Sequence, residues 1–241
     1  ARIRGEYPRI LRFFRFHALY GKSTPDPEGL AACVALKEGL ARLSAERVRD
    51  ELLKLLVAPG AAATLAVMQK TGILPLVLPV AADLARFTSM AAADALHGLP
   101  PDPVLRLAAL APDIAAMADR LRLSNAEQAR LKALEDAGAP SPALREAERK
   151  VVLHQLGPET YRDAVRLAWA SGGNTGDDAE WLRLLALPGH WSPPPFPVTG
   201  DDLLAHGMKP GPEIGEALRR LEDWWIVSGF RATRADLLSK L

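Results

Sequence analysis

The stretch EYPRILRFFRFHALYG, residues 6–21, decides how the rest of the sequence is interpreted. At about 100° per residue, a helix places Arg9, Arg12 and Arg15 on one side. The opposite side carries the apolar residues of the segment, which are Ile10, Phe13, Phe14 and Ala18. We predict an amphipathic helix that packs into a core and presents guanidinium groups, which suit phosphates and base edges. Periodicity alone also fits a core helix whose basic face is only solvated.

The composition indicates a globular chain whose net charge is too small for its whole surface to bind nucleic acid. Its 241 residues suffice for one large or two modest domains, with 49% hydrophobic and 24% charged residues. Since the net charge is only +1, any nucleic-acid surface must be local. Cys33 is the single cysteine and is interpreted as a small core residue. Without a membrane-spanning run or a signal-peptide pattern, we expect no membrane partner and a cytoplasmic location.

Capping residues, prolines and apolar spacing predict helices throughout the chain, and no strand or fixed-period repeat is recognised, so the predicted fold is all-α. The further predicted helices cover 26–40, 45–57, several segments between 61 and 97, 104–110, 125–137, 141–156, 158–170, 179–187 and 213–225. Ser44 is expected to cap the helix of residues 45–57 with its side chain. Glu51 is expected to pair with Arg47 one turn away.

Three segments together resemble one enzyme family. The stretch RIRGEYPRILRFFRFHALYG, residues 2–21, resembles the start of the neck in class II tRNA nucleotidyltransferases, the CCA-adding enzymes, and their poly(A) polymerase relatives. The family pattern is Glu-Asp-x-x-Arg-x-x-Arg followed by Arg-Phe. The matching residues are Arg9, Arg12, Arg15 and Phe16, whereas Gly5 and Glu6 stand where the family has Glu and Asp. Residues 43–56 and 196–226 resemble, respectively, the helix that packs on the neck and the tail of the same enzymes.

The resemblance implies a multi-helix array of three parts. These are neck helices over 1–58, a helical body over 59–187, and a proline-rich connector with a small helical tail over 188–241. The connector, LPGHWSPPPFPV at 187–198, is the clearest boundary because its prolines favour an extended chain. The tail is expected to contain a turn like that of a helix-hairpin-helix, in which Gly207, Lys209 and Gly211 contact RNA phosphates. Those glycines also suit an ordinary corner between helices.

In the family, an Asp and an Arg of the first motif imitate a Watson–Crick partner for the incoming CTP or ATP. Such bidentate contacts discriminate between bases by about 1–3 kcal/mol each. The resemblance therefore implies a nucleotide-binding site formed by Glu6 and Arg9, with Arg12 in support. Because Glu6 is one methylene longer than Asp, an altered or lost base preference stays open.

The family also needs Mg²⁺, which its N-terminal palm domain binds through a Gly-Gly motif and an Asp-x-Asp pair. Neither motif is recognised in this sequence. Asp177-Asp178 and Asp201-Asp202 are interpreted as helix caps, and the five histidines are scattered. No catalytic residue and no metal ligand is therefore assigned, and Mg²⁺ is expected only in the parent enzyme.

The leading hypothesis is the RNA- and nucleotide-binding helical region of a tRNA nucleotidyltransferase, which adds CCA to tRNA 3′ ends. It would bind tRNA or other RNA, work with a palm domain and transfer nothing alone. One alternative is a fragment of a poly(A) polymerase-type tailing enzyme. The other is a catalytically dead helical module that binds protein. The oligomeric state is left open.

Overall fold

The computed structural model of the protein describes residues 7–21, 24–137, 140–172 and 178–241, with the side chain of Ile114 excepted. These residues form fourteen α-helices and one 3₁₀ helix, Lys37–Arg42, and they contain no strand, which confirms the all-α prediction. The helices are α1 Pro8–Tyr20, α2 Pro27–Leu36, α3 Ala45–Leu56, α4 Ala61–Lys70, α5 Leu74–Val77, α6 Leu84–His97, α7 Pro103–Leu110, α8 Ile114–Leu121, α9 Asn125–Asp136, α10 Glu146–Gly172, α11 Asp178–His190, α12 Gly200–Ala205, α13 Pro212–Val227 and α14 Arg234–Leu238.

The chain forms two compact units. The first comprises Ala1–Ala137 and Arg166–Asp177, and the second comprises Gly138–Val165 and Asp178–Leu241. One hydrophobic core of the first unit includes residues from α1 through to the end of α10, so the predicted neck and most of the predicted body share it. A core in the second unit joins α12, α13 and α14 around Trp225. The division into neck, body and tail stays a prediction.

Helix α1 is amphipathic as predicted. Pro8 occupies its first position, where the missing amide proton costs nothing, and Gly21 is its C-cap residue. Its buried residues are Ile10, Leu11, Phe14 and Ala18. This face packs on α3 and α4, and the Gly60 amide donates to the Ala18 carbonyl over 2.9 Å.

Several helix starts that a carboxylate or a capping box marks were predicted. Asp26 and Asp102 each accept from a backbone amide three residues on, and Ser124 forms the predicted capping box with Glu127. The break between the two predicted helices near residue 157 is a kink within α10, where Gly157 adopts a φ of 72°. Cys33 is fully buried, as predicted, and burial raises the pKa of its thiol to about 11.

Several local predictions were wrong or incomplete. The predicted connector at 187–198 begins inside α11, which continues to His190, and α14 was not predicted. Ser44 lies at the N-cap of α3, but its side chain caps no amide. Glu51 is bonded to arginines of α1 and not to Arg47, because α1 lies against α3. Helix α8 was not predicted; its signal was Asp113, whose side chain accepts from the Ala116 amide and starts the helix.

Candidate functional site

The basic face of α1 contains a cluster of two arginines on one carboxylate. The Arg12 Nε donates to Glu51 Oε1 over 3.3 Å, and the Arg15 Nε donates to Glu51 Oε2 over 2.7 Å. Glu51 comes from α3, so the packing of these two helices sets the geometry. We call these three residues the open cluster.

The open cluster carries an excess of positive charge toward solvent. The side chain of Glu51 is 13% exposed and that of Arg15 is 19% exposed, whereas Arg12 is 57% exposed. Among the described residues, neither terminal amine of Arg12 has a hydrogen-bond partner. Because one carboxylate compensates only one of the two charges, Arg12 keeps donors for a phosphate or a base edge.

The other two predicted nucleotide-binding residues are less informative. Arg9 is half-buried on the same helix and takes part in an interaction of its own. Glu6, like Gly5, lies outside the described residues. The pairing of Glu6 with Arg9 therefore stays a prediction.

The start of α1 is seated by a close contact. The ring of Tyr7 lies on the backbone of Gly39, so that a Cβ at Gly39 would come within 1.9 Å of ring carbons Cδ1 and Cε1. Tyr7, Glu38 and Arg42 line a cavity of about 200 Å³ beside this contact. The Arg42 guanidinium lies 5.7 Å from the centroid of the Tyr7 ring. Only glycine at position 39 permits this seating of the first turn.

Sequence reasoning missed two exposed aromatic side chains at the other end of α1. Phe16 and Tyr20 stack with ring centroids 6.3 Å apart and an interplanar angle of 22°. The Arg15 guanidinium carbon lies 4.5 Å from the centroid of the Phe16 ring. The four-residue spacing of the two rings, on the side opposite the apolar face, was the signal that could have found them.

Sequence reasoning also missed a second cluster of two arginines on one carboxylate. Asp94 of α6 accepts from Arg106 Nε over 3.2 Å and from Arg166 Nη2 over 2.6 Å. Arg106 also donates to the carbonyl of Leu56 over 2.8 Å, and Arg166 donates to that of Pro100 over 3.0 Å. The available signal was an arginine within the apolar run VLRLAAL. We call Asp94, Arg106 and Arg166 the closed cluster.

The predicted tail turn has the expected form. It runs from the end of α12 to the start of α13, and Gly207 adopts a φ of 101°, which favours glycine. A Cβ at Gly211 would meet nothing within 4 Å, and no side chain caps α13, so the chain is uncrowded at the start of this helix. Pro212 has no amide proton, and the Ile214 amide donates to the Gly211 carbonyl over 3.2 Å. Lys209, two residues before Gly211, is exposed. The structure therefore places Gly207, Lys209 and Gly211 in one open turn.

A carboxylate in the first turn of α12 joins this helix to α14. As predicted, Asp202 acts as a cap: its side chain accepts from the Thr199 amide over 2.7 Å, and Thr199 caps α12 in return. Arg234 donates to the same carboxylate over 2.7 Å. These hydrogen bonds, that of Arg234 above all, lower the pKa of Asp202 from its ordinary 3.8 to about 2.

Residues 7–21, 24–137, 140–172 and 178–241 contain neither a metal-binding cluster nor a membrane-spanning helix. Over these ranges, no group of three or more histidine, cysteine, aspartate or glutamate residues is placed so that it could hold a metal ion. No described helix combines the length and apolar character needed to cross a bilayer.

Comparisons with known proteins point to one family. A family model described as "Probable RNA and SrmB- binding site of polymerase A" matches residues 24–84. The mitochondrial CCA tRNA nucleotidyltransferase 1 of Mus musculus is 32% identical to this chain over 254 aligned residues, covering 99% of the chain and 55% of the mouse protein. The chain thus spans about half the length of the curated relatives that it matches.

Solved structures share the fold. The Bacillus stearothermophilus CCA-adding enzyme in complex with CTP superposes with a TM-score of 0.65 at 23% identity, over 94% of this chain and 58% of that enzyme. The Thermotoga maritima CCA-adding enzyme complexed with tRNA gives a TM-score of 0.62 at 17% identity, over 99% of this chain and 61% of that enzyme. In its sequence, this chain matches the class II tRNA nucleotidyltransferases over about half of their length.

Proposed function

We propose that this chain is the RNA- and nucleotide-binding helical region of an enzyme that adds CCA to tRNA 3′ ends with CTP and ATP. The observation that carries the proposal is the open cluster. Its Arg12 is bonded to Glu51 through Nε alone, which leaves its terminal amines available within the described part of the chain. The relatives named for CCA addition, CTP and tRNA support the same assignment.

The nucleotide would meet the first half of α1. Arg9 donates to an acceptor on the ring edge of the incoming base, and Glu6 accepts the amino proton that C and A share. Arg12 supports this pair with its outward guanidinium. Bidentate donors of this kind favour one base edge over another because a wrong base leaves them unpaired.

The RNA backbone would meet the tail turn. The uncapped start of α13, where the Glu213 amide follows Pro212, and the exposed Lys209 both suit a phosphate group, without reading the sequence. Removing such a cation lowers affinity for all RNA sequences alike and reduces the salt dependence of binding.

We assign no step of phosphoryl transfer to the described residues, because they offer no cluster that fits Mg²⁺. The metal ligands are expected in the palm domain of the parent enzyme. In this proposal the chain selects and holds the nucleotide and the RNA, and it transfers nothing alone.

The test compares Arg12→Ala and Lys209→Ala with two controls of equal charge change. Lys132→Ala and Arg145→Ala each remove an exposed cation that is already paired with a carboxylate three or four residues further along the chain. Binding of a tRNA that lacks its CCA end is measured by fluorescence anisotropy at several salt concentrations. We expect each test variant to weaken binding and to reduce the log–log salt slope by about one, and each control to leave both unchanged.

Binding of CTP separates the two ends of the proposal. Arg12→Ala should weaken CTP binding, whereas Lys209→Ala should not. If wild-type chain shows no salt-dependent RNA binding at all, the RNA-binding function is wrong and the protein-binding alternative is favoured.

One observation favours a second candidate, which is poly(A) polymerase-type tailing. The description of the matched family model names an RNA-binding site of polymerase A. This candidate differs in its RNA, so competition decides between the two. Unstructured RNA that displaces tRNA at equal concentration would favour tailing, and a strong preference for tRNA would favour CCA addition.

A further inference from the structure

The two stacked rings on α1 have no evident role in folding. Phe16 is 49% exposed and Tyr20 is 75% exposed. Burial stabilises a fold in proportion to the apolar area removed from water, so Tyr20 contributes little to the core. The side chains nevertheless contact one another in turn: the Arg15 guanidinium lies over the Phe16 ring, and the Phe16 ring stacks with that of Tyr20.

The rings continue the cationic face of the helix. Arg12, Phe16 and Tyr20 follow one another at intervals of four residues and therefore form one row along the helix surface. All three side chains are exposed. The row begins in the open cluster, with its uncompensated positive charge, and ends in a flat aromatic surface.

We propose that Phe16 and Tyr20 form a stacking platform for the unpaired bases of single-stranded RNA, whose phosphates are held by the arginines beside them. Single-stranded nucleic acid is bound by this combination, since every base has a π-face and every nucleotide a negative charge. The platform lies outside residues 24–84, which the RNA-binding family model covers. It rests on the proposed RNA-binding function and adds a contact with bases to it.

The charges around the rings favour RNA over a protein as the ligand of the platform. A protein partner with an apolar surface would remove the excess positive charge of the open cluster from water, which costs free energy without a further opposite charge. RNA supplies that opposite charge in the same strand that supplies the bases. Leu19 is an exposed aliphatic residue next to this row and provides a control on the same helix.

The test uses the full chain and two fluorescent probes of equal length and charge. One is a single-stranded oligoribonucleotide, and the other has the same backbone with abasic sites in place of its bases. The variants are Phe16→Ala, Tyr20→Ala, Tyr20→Phe and Leu19→Ala, with folding checked by circular dichroism and thermal unfolding.

We expect Phe16→Ala and Tyr20→Ala each to weaken binding of the base-containing probe by about 5- to 150-fold, the range measured for base–aromatic stacking. Both variants should bind the abasic probe like wild type. Tyr20→Phe should retain affinity because it keeps the ring, and Leu19→Ala should change little.

Arg12→Ala, measured beside them, distinguishes the failure of the platform from the failure of RNA binding. The platform alone is wrong if Arg12→Ala weakens RNA binding while the aromatic variants change the affinity for both probes equally, or change neither. If the wild-type chain binds neither probe, the RNA-binding function is wrong, and the platform is wrong with it. If Tyr20→Ala instead abolishes self-association of the chain, the rings form a protein interface and the platform is wrong.

Discussion

The open and closed clusters have the same components in different surroundings. Each holds two arginines on one carboxylate and so has a formal charge of +1. In the closed cluster the side chain of Asp94 is 3% exposed, and those of Arg106 and Arg166 are 7% and 12% exposed. In the open cluster Arg12 is mostly in water.

The difference teaches that burial, and not the count of charges, separates a structural cluster from a candidate binding cluster. In the closed cluster, the backbone carbonyls of Leu56 and Pro100 also accept hydrogen bonds from Arg106 and Arg166, and Arg166 Nε is buried without a hydrogen-bond partner among the described residues. The arginines then join parts of the core that are distant in sequence. In the open cluster the described residues leave the terminal amines of Arg12 without partners, so a ligand can take them.

The largest expected effect comes from breaking the closed cluster. Asp94→Asn leaves two buried guanidinium groups without their carboxylate, and we expect the free energy of unfolding to fall by about 3–5 kcal/mol. RNA affinity at a temperature where the variant is folded should be unchanged. The free energy of unfolding is measured by urea denaturation, with circular dichroism as the signal, and the RNA affinity is measured by fluorescence anisotropy.

The control for this variant is Asp50→Asn, which removes a carboxylate from an exposed pair with Arg49. It should cost less than about 1 kcal/mol. A similarly small loss for Asp94→Asn would contradict the structural role assigned to the closed cluster.

The second prediction asks whether packing, more than ion pairing, positions the open cluster. Gly39→Ala puts a methyl group into the Tyr7 ring, which must move, and we expect a loss of about 1–3 kcal/mol. Since the first turn of α1 moves with Tyr7, nucleotide affinity should also fall. Both quantities are measured as before.

Gly215→Ala is the matched control with the opposite expected sign. Gly215 lies inside α13, and a Cβ there meets nothing within 4 Å. This variant should gain about 0.5–1 kcal/mol because alanine loses less entropy in a helix. Equal effects at the two positions would show that the Tyr7 contact does not seat the helix.

How far the sequence predicts these features depends on the range of the interaction. Caps such as Asp102 and the apolar face of α1 depend on neighbours within one or two turns, and they were predicted. The partners of Glu51 lie 36 and 39 residues away, and Arg166 lies 72 residues from Asp94. No local pattern encodes such contacts, because they depend on which helices pack together.

The third prediction breaks the open cluster. Glu51→Gln removes the charge that holds Arg12 and Arg15, and we expect a loss of about 1–2 kcal/mol, smaller than in the closed cluster because water solvates Arg12. RNA affinity should stay equal or rise, since two arginines are then uncompensated. A large loss of RNA affinity would show that Glu51 positions Arg12 for its ligand.

The smallest effect concerns a third carboxylate, Asp202, which holds a single arginine at the surface of the tail. Its pKa is about 2 in the folded chain and 3.8 ordinarily, so its stabilisation is complete above about pH 4. As the pH falls from there, the unfolded chain binds the proton first, and the stabilisation is lost by about pH 2. Asp202→Asn should therefore lose less stability than wild type between pH 5 and pH 2.5, measured as the urea midpoint from tryptophan fluorescence. Asp201→Asn is the control, since Asp201 is the exposed neighbour of Asp202. If both variants respond to acid alike, the contacts of Asp202 with Arg234 and Thr199 do not stabilise the tail. A surface carboxylate would then need burial as well as hydrogen-bond partners to contribute to stability.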